Sequence, residues 1–209
     1  MEVPFEGTTL PGSLRLPKGV ASRPLVFLVP GGDSTKEELY DFGDHMLARG
    51  LAIFAFDGPG QGLVSTKAKL RPDFEVPIRA VTDYVLERAG VDGKRLAIGG
   101  ISYGGIFACR AAAFDDRYKA VFSASAWYTP AGRFPGMDPL SQLGLTQYMG
   151  PDPQKVQDSI TMAGAADKLK VPLLQVYGGL DKASPPEHAY RVEKEVKGPT
   201  KTVVFDDGV

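Results

Sequence analysis

The residues with the clearest chemistry are Gly100-Ile101-Ser102-Tyr103-Gly104, a serine with glycines two positions before and two after it. This is the G-x-S-x-G pattern of a nucleophile elbow, in which small residues permit a strand-to-helix turn too sharp for larger side chains. The flanks fit that reading. Leu96-Ala97-Ile98 is apolar and strand-like, and Ile106, Phe107, Ala108, Ala111 and Ala112 recur at helical spacing. A serine on such a turn is lifted out of the sheet. The helix that begins at Tyr103 leaves its first N–H groups without intrahelical partners, so the amide of Tyr103 can stabilise a developing oxyanion.

A nucleophilic serine needs a base, and the base needs an orienting acid. Asp181 follows the apolar run Val171 to Tyr177 and the pair Gly178-Gly179, and precedes Pro185-Pro186 at the start of a helix. That is the position of an acid at a strand's carboxyl end. The chain has two histidines. His45 lies inside the first helical segment and reads as a surface or packing residue. His188 lies just inside the helix after Asp181, where a helix-fixed side chain has little freedom to reach the serine. A second glycine-rich turn, Pro30-Gly31-Gly32-Asp33, leaves the strand Pro24 to Val29 and lets its backbone approach a ligand closely.

Composition bounds the partners. The 209 residues, 43% of them hydrophobic, suit one well-filled α/β domain. A formal net charge of -1 with scattered basic residues argues against nucleic acid or an anionic membrane as partner. No stretch approaches the roughly 18 apolar residues of a membrane span. Oligomeric state leaves no mark on the sequence. The single cysteine, Cys109, precludes an internal disulfide, and MEVPFEGTTL lacks the form of a secretion signal, so a cytoplasmic setting is expected. Cys109 itself reads as a small packing residue in the helix after the serine.

The elements that position these groups alternate strand and helix. Val3 to Phe5 and Thr8 to Leu16 form an edge hairpin around Glu6-Gly7, and Pro24 to Val29, Leu51 to Phe56, Ala120 to Ala124, Val171 to Tyr177 and Thr202 to Phe205 are further strands. Ser34 with Glu37 and Thr35 with Glu38 have capping-box spacing, which predicts a helix from there to about Arg49, stopped by Gly50. Asp73 to Ala89 is an amphipathic helix. Asp57-Gly58-Pro59-Gly60-Gln61-Gly62 lacks the spacing of a dinucleotide loop, and Asp57 reads as a loop-ordering residue. The repeated alternation predicts a mostly parallel sheet with helices on both faces. Residues 127–170, rich in Pro, Gly, Met and aromatics, interrupt it. They either line a substrate pocket through Trp127, Tyr128 and Phe134 or form a surface insertion packed on the domain.

VPFEGTTLPGSLRLP, PGGDSTKEE, FDGPGQG, GISYGG and YGGLDKASPPEHA together resemble the α/β-hydrolase superfamily. Within it the similarity is to the branch of C–C bond hydrolases and esterases that includes 2,6-dihydroxypseudooxynicotine hydrolase, fungal pigment-pathway polyketide-shortening hydrolases and FrsA-like proteins. The resemblance runs from Val3 to the final Asp-Gly pair. It implies an α/β-hydrolase fold over residues 1–209 and acyl transfer on a small carbonyl substrate, without cofactor or metal. It implies Ser102 as nucleophile and Asp181 as the acid, with the amides of Tyr103 and of Gly32 or Asp33 as the oxyanion hole. The family's histidine stands just beyond a D-G pair, whereas this sequence stops one residue after Gly208. On that comparison the chain is a core without its general base, last helix and N-terminal helical region, and turnover is expected to be impaired. Either C–C or ester cleavage fits, and so does a non-catalytic ligand-binding module.

Overall fold

The computed structural model describes residues 1–19, 23–88 and 90–208. Ala89, the expected end of a helix, and Val209 lie outside the described residues. The chain opens with strands β1 (Glu2–Phe5) and β2 (Thr8–Arg15). Glu6 and Gly7 between them have φ of 42° and 80°, the paired positive values of a tight hairpin turn. Then come β3 (Pro24–Val29), helix α1 (Tyr40–Leu47), β4 (Ala52–Phe56), α2 (Glu75–Leu86), β5 (Asp92–Ile101), α3 (Tyr103–Phe114) and β6 (Tyr118–Ala124). The remainder is α4 (Pro139–Met149), α5 (Pro153–Ser159), β7 (Leu173–Gly178), α6 (Glu187–Glu195) and β8 (Thr200–Phe205).

The sheet runs β1-β2-β4-β3-β5-β6-β7-β8, parallel from β4 to β8, with β2 antiparallel to both β1 and β4. After β3 the chain steps to one side to make β4, and then returns to the other side to make β5. This reversal opens a crevice at the carboxyl ends of β3 and β5, where open α/β sheets bind ligands. The run Pro24–Val29 is apolar throughout because both of its faces are covered. Phe27 packs with Phe54, Ile98, Ile106 and Phe107 on the face that α2 and α3 cover, while Val26 and Leu28 pack with Ile53 and Leu39 on the α1 face. Across the strand register, Ile101, Leu174 and Phe205 share the α1 face and are 37%, 40% and 57% exposed, so α1 shields only the β3 and β4 side.

The start of the first helix differs from its expected form. Residues Lys36–Leu39 are a 3₁₀ turn, and neither Ser34 nor Thr35 caps it through a side chain. The Ser34 hydroxyl donates instead to the Glu38 carboxylate at 2.7 Å. The acceptor for the Lys36 N–H is Asp57 Oδ1 at 2.7 Å, reached from the loop after β4. A carboxylate brought in by tertiary packing outcompetes the local caps.

Cys109 is 4% exposed on α3, and burial pushes its thiol up to about 12. At pH 8 native protein is therefore expected to react with iodoacetamide on the order of 10³-fold more slowly than urea-unfolded protein, because only the thiolate attacks. Comparable rates in the two states would show the thiol to be accessible.

Candidate active site

Ser102 sits between β5 and α3 with φ 59° and ψ −125°, a conformation that costs a non-glycine residue about 1–3 kcal/mol. The turn is held on both sides. The Ser102 N–H donates to Ala124 O at 2.9 Å, and the Gly105 N–H donates to Ser102 O at 3.0 Å. A side-chain carbon on Gly100 would stand 2.5 Å from Gly104 O, and one on Gly104 would stand 2.5 Å from Pro30 O, so both positions require glycine. The Ser102 hydroxyl makes no hydrogen bond with any described residue. It borders a cavity of about 380 Å³.

The turn after β3 lies against this serine. A Cβ built on Gly31 would be 3.6 Å from Ser102 Cβ, and one on Gly32 would be 2.9 Å from the Tyr103 ring. The amides of Gly32, Asp33 and Tyr103 donate to no acceptor among the described residues. The loop after β4 braces this turn. Asp57, 2% exposed, takes the Lys36 amide and also its ammonium at 2.9 Å. Burial raises the Asp57 carboxyl above the ordinary carboxylate range, against the pull of both Lys36 bonds.

Asp181 lies beyond β7, two strands from β5 on the same edge of the sheet. Its Oδ1 accepts from the amides of Ala183 and Ser184 at 2.8 and 2.9 Å, and Ala183 itself borders the cavity. The Leu180 N–H donates to Gly208 O at 2.8 Å and the Gly179 N–H to Phe205 O at 2.7 Å. The segment that leaves β8 therefore runs alongside Asp181. His188 turns elsewhere, accepting the Tyr128 N–H through Nδ1 at 3.3 Å. Burial and the nearby Arg133 charge hold its imidazole below the usual histidine range. His45 is exposed on α1. Neither histidine hydrogen-bonds Ser102 or Asp181.

Residues from Trp127 to Gln157 supply the cavity's outer wall. Trp127 borders it, its indole N–H donating to Ala183 O at 2.7 Å and its ring 5.0 Å from that of Tyr103. Tyr128 and Phe134 do not line it, contrary to the expectation for them. Tyr128 faces α6, where its hydroxyl donates to Glu195 at 2.9 Å and the Arg191 guanidinium covers its ring. Phe134 packs on the core. The consecutive residues Trp127 and Tyr128 point in different directions, and a composition argument does not separate them. Sequence reasoning missed Arg133, Leu145 and Gln157 in the wall, and Gln61 behind it. Arg133 lies 4.8 Å from the Trp127 ring centroid and has no ion pair among the described residues. Gln157 donates to the Tyr103 hydroxyl at 2.8 Å, and burial pushes that phenol up to about 12.

Two family models match this chain. One, described as "Esterase FrsA-like", matches residues 1–128, and another, "Prolyl oligopeptidase family", matches residues 76–205, each more than half of the chain. The chain belongs to the α/β-hydrolase superfamily. The chain is 50% identical over 135 residues to Hydrolase LUC6 of Fusarium sp, a match covering 59% of this chain and 32% of that protein. It is 33% identical over 122 residues to 2,6-dihydropseudooxynicotine hydrolase of Paenarthrobacter nicotinovorans, covering 58% of this chain and 33% of the relative. A solved structure of 2,6-dihydroxy-pseudo-oxynicotine hydrolase superposes with a TM-score of 0.90 at 25% identity, over 100% of this chain and 60% of that one. The matches thus span about a third of the length of these curated relatives.

Proposed function

We propose that this α/β-hydrolase is a serine hydrolase that transfers the acyl group of a small carbonyl substrate to water, with Ser102 as nucleophile. The observation that carries the proposal is the Ser102 hydroxyl, unbonded and at the rim of a cavity, on a turn that two glycines allow and that costs conformational energy to keep. In this reading Ser102 Oγ attacks the carbonyl carbon as a histidine takes its proton. The tetrahedral oxyanion is held by the amide of Tyr103 and that of Gly32 or Asp33. Asp181 orients the imidazole, which we propose enters from the segment after Gly208, since Gly208 is bonded to Leu180 beside that acid. The same histidine then protonates the leaving group, and water repeats the cycle on the acyl-enzyme.

An alcohol leaving group makes the reaction ester hydrolysis. A carbon leaving group stabilised as an enol, as from a β-diketone or polyketide, makes it C–C hydrolysis. The aromatic Trp127 and Tyr103 flanking the cavity favour an acylated aromatic or polyketide substrate. The second reading is a ligand-binding module without turnover, since the cavity beside Ser102 can hold a ligand whether or not the serine reacts. The chain has one cysteine, which is buried, and no helix among the described residues is long and apolar enough to cross a membrane; we propose a cytoplasmic setting.

The test is a fluorophosphonate probe applied to residues 1–209 and to the protein extended past Val209. Labelling of the extended form at Ser102 is the expected result. Absence of labelling in both forms would favour the binding module. Turnover of a p-nitrophenyl ester against that of a 1,3-diketone then separates the two leaving groups.

A further inference from the structure

Gln61 is fully buried, with 0% exposure, yet it is polar and lies in the loop after β4, two strands from β5 and the serine turn. Its carboxamide is completely used. Oε1 accepts the Gly58 N–H at 2.9 Å, and Nε2 donates to Pro30 O at 2.7 Å and to Gly31 O at 3.1 Å. A buried amide with all three of these groups matched defines a single arrangement of its neighbours, because any other leaves polar atoms desolvated and unpaired.

The two carbonyls that it grips belong to the turn facing Ser102. No peptide among the described residues is cis, and in a trans peptide the C=O and the next N–H point in opposite directions. Holding Gly31 O toward Gln61 therefore turns the Gly32 N–H the opposite way. The Pro30 bond does the same for the Gly31 N–H. Without the carboxamide this diglycine turn has many backbone conformations open to it. We propose that Gln61 is a positioning residue that sets the direction of the Gly32 amide and thereby selects it, of Gly32 and Asp33, as the oxyanion donor on the turn after β3. This deepens the serine-hydrolase reading and rests on it.

The test uses the full-length protein. Gln61→Glu keeps the shape and the acceptor for Gly58 but replaces the donor to both carbonyls with oxygen. Its kcat is expected to fall about 100-fold, the order of one lost oxyanion donor, with KM changed less than about threefold. Affinity for a boronic acid that mimics the tetrahedral intermediate falls in parallel. The ratio of Gln61→Glu to wild-type kcat rises as pH is lowered, because a protonated carboxyl regains one donor. Gln61→Met, which lacks both functions, stays low at every pH. An unchanged kcat, or a loss of stability with boronic acid affinity and the pH ratio unmoved, would make Gln61 merely structural and overturn the inference. Wild-type protein that fails to label with fluorophosphonate would instead remove the hydrolase reading, and this inference with it.

Discussion

Ser102→Ala in the intact protein is expected to lower kcat on either an ester or a diketone by on the order of 10⁵-fold and to abolish fluorophosphonate labelling. Removing the nucleophile of a triad leaves only the contribution of the oxyanion hole and binding, as deletion series in serine hydrolases show. The substitution costs little in stability because the hydroxyl has no partner to lose. Ser102→Gly goes further. Glycine adopts φ near 59° freely, so this variant is expected to be equally inactive yet about 1 kcal/mol more stable than wild type. Chemical denaturation alongside the labelling assay checks both halves. Retained turnover in either variant would move the nucleophile elsewhere, and a destabilised Ser102→Gly would mean that the serine's conformation carries no strain.

The second large effect falls on a residue without any side chain. A methyl group at position 104 would overlap the carbonyl oxygens of Val29 and Pro30, which end β3 and begin the diglycine turn. Neither oxygen can yield as the tip of a flexible side chain would. Pro30 O is also held by Gln61 at 2.7 Å. Gly104→Ala is therefore expected to cost about 3 kcal/mol and to lower the midpoint of thermal unfolding by about 6–12 °C in a domain of this size. It also pushes the turn away from the serine, so labelling slows in the folded fraction. Gly136→Ala is the control, since a carbon there meets nothing within 4 Å, and it is expected to change stability by less than about 0.5 kcal/mol. A fully stable Gly104→Ala would contradict the close approach of the elbow to β3.

Much of this molecule was legible one segment at a time. Buried strands announced themselves because a strand covered on both faces must be apolar along its whole length, as Pro24–Val29 and Ala52–Phe56 are. The elbow was legible because its pattern is local: glycines two places before and after the serine mark a sharp strand-to-helix turn, even though the atoms that exclude a side chain at 104 are Val29 O and Pro30 O at the end of β3. The start of the first helix was misread for the opposite reason. Ser34 and Thr35 offer sound local caps, but Asp57 arrives from another loop to take the Lys36 amide, and nothing near residue 36 signals that.

The cavity wall shows the same division. An aromatic-rich stretch marks residues 127–170, but the direction of each side chain depends on what packs behind it. Trp127 finds Ala183 O and turns to the cavity, whereas Tyr128 finds Glu195 and turns to α6. Gln61 was written into Gly-Pro-Gly-Gln-Gly from the outset, but its use depends on two carbonyls 30 and 31 residues earlier in the chain. By itself the sequence determined the order of strands and helices, the strained serine and the glycines around it, because those follow from backbone sterics and the periodicity of burial. Only the tertiary structure decided which loops meet at the crevice between β3 and β5, and which side chain points into it, because those are contests among partners far apart in the chain.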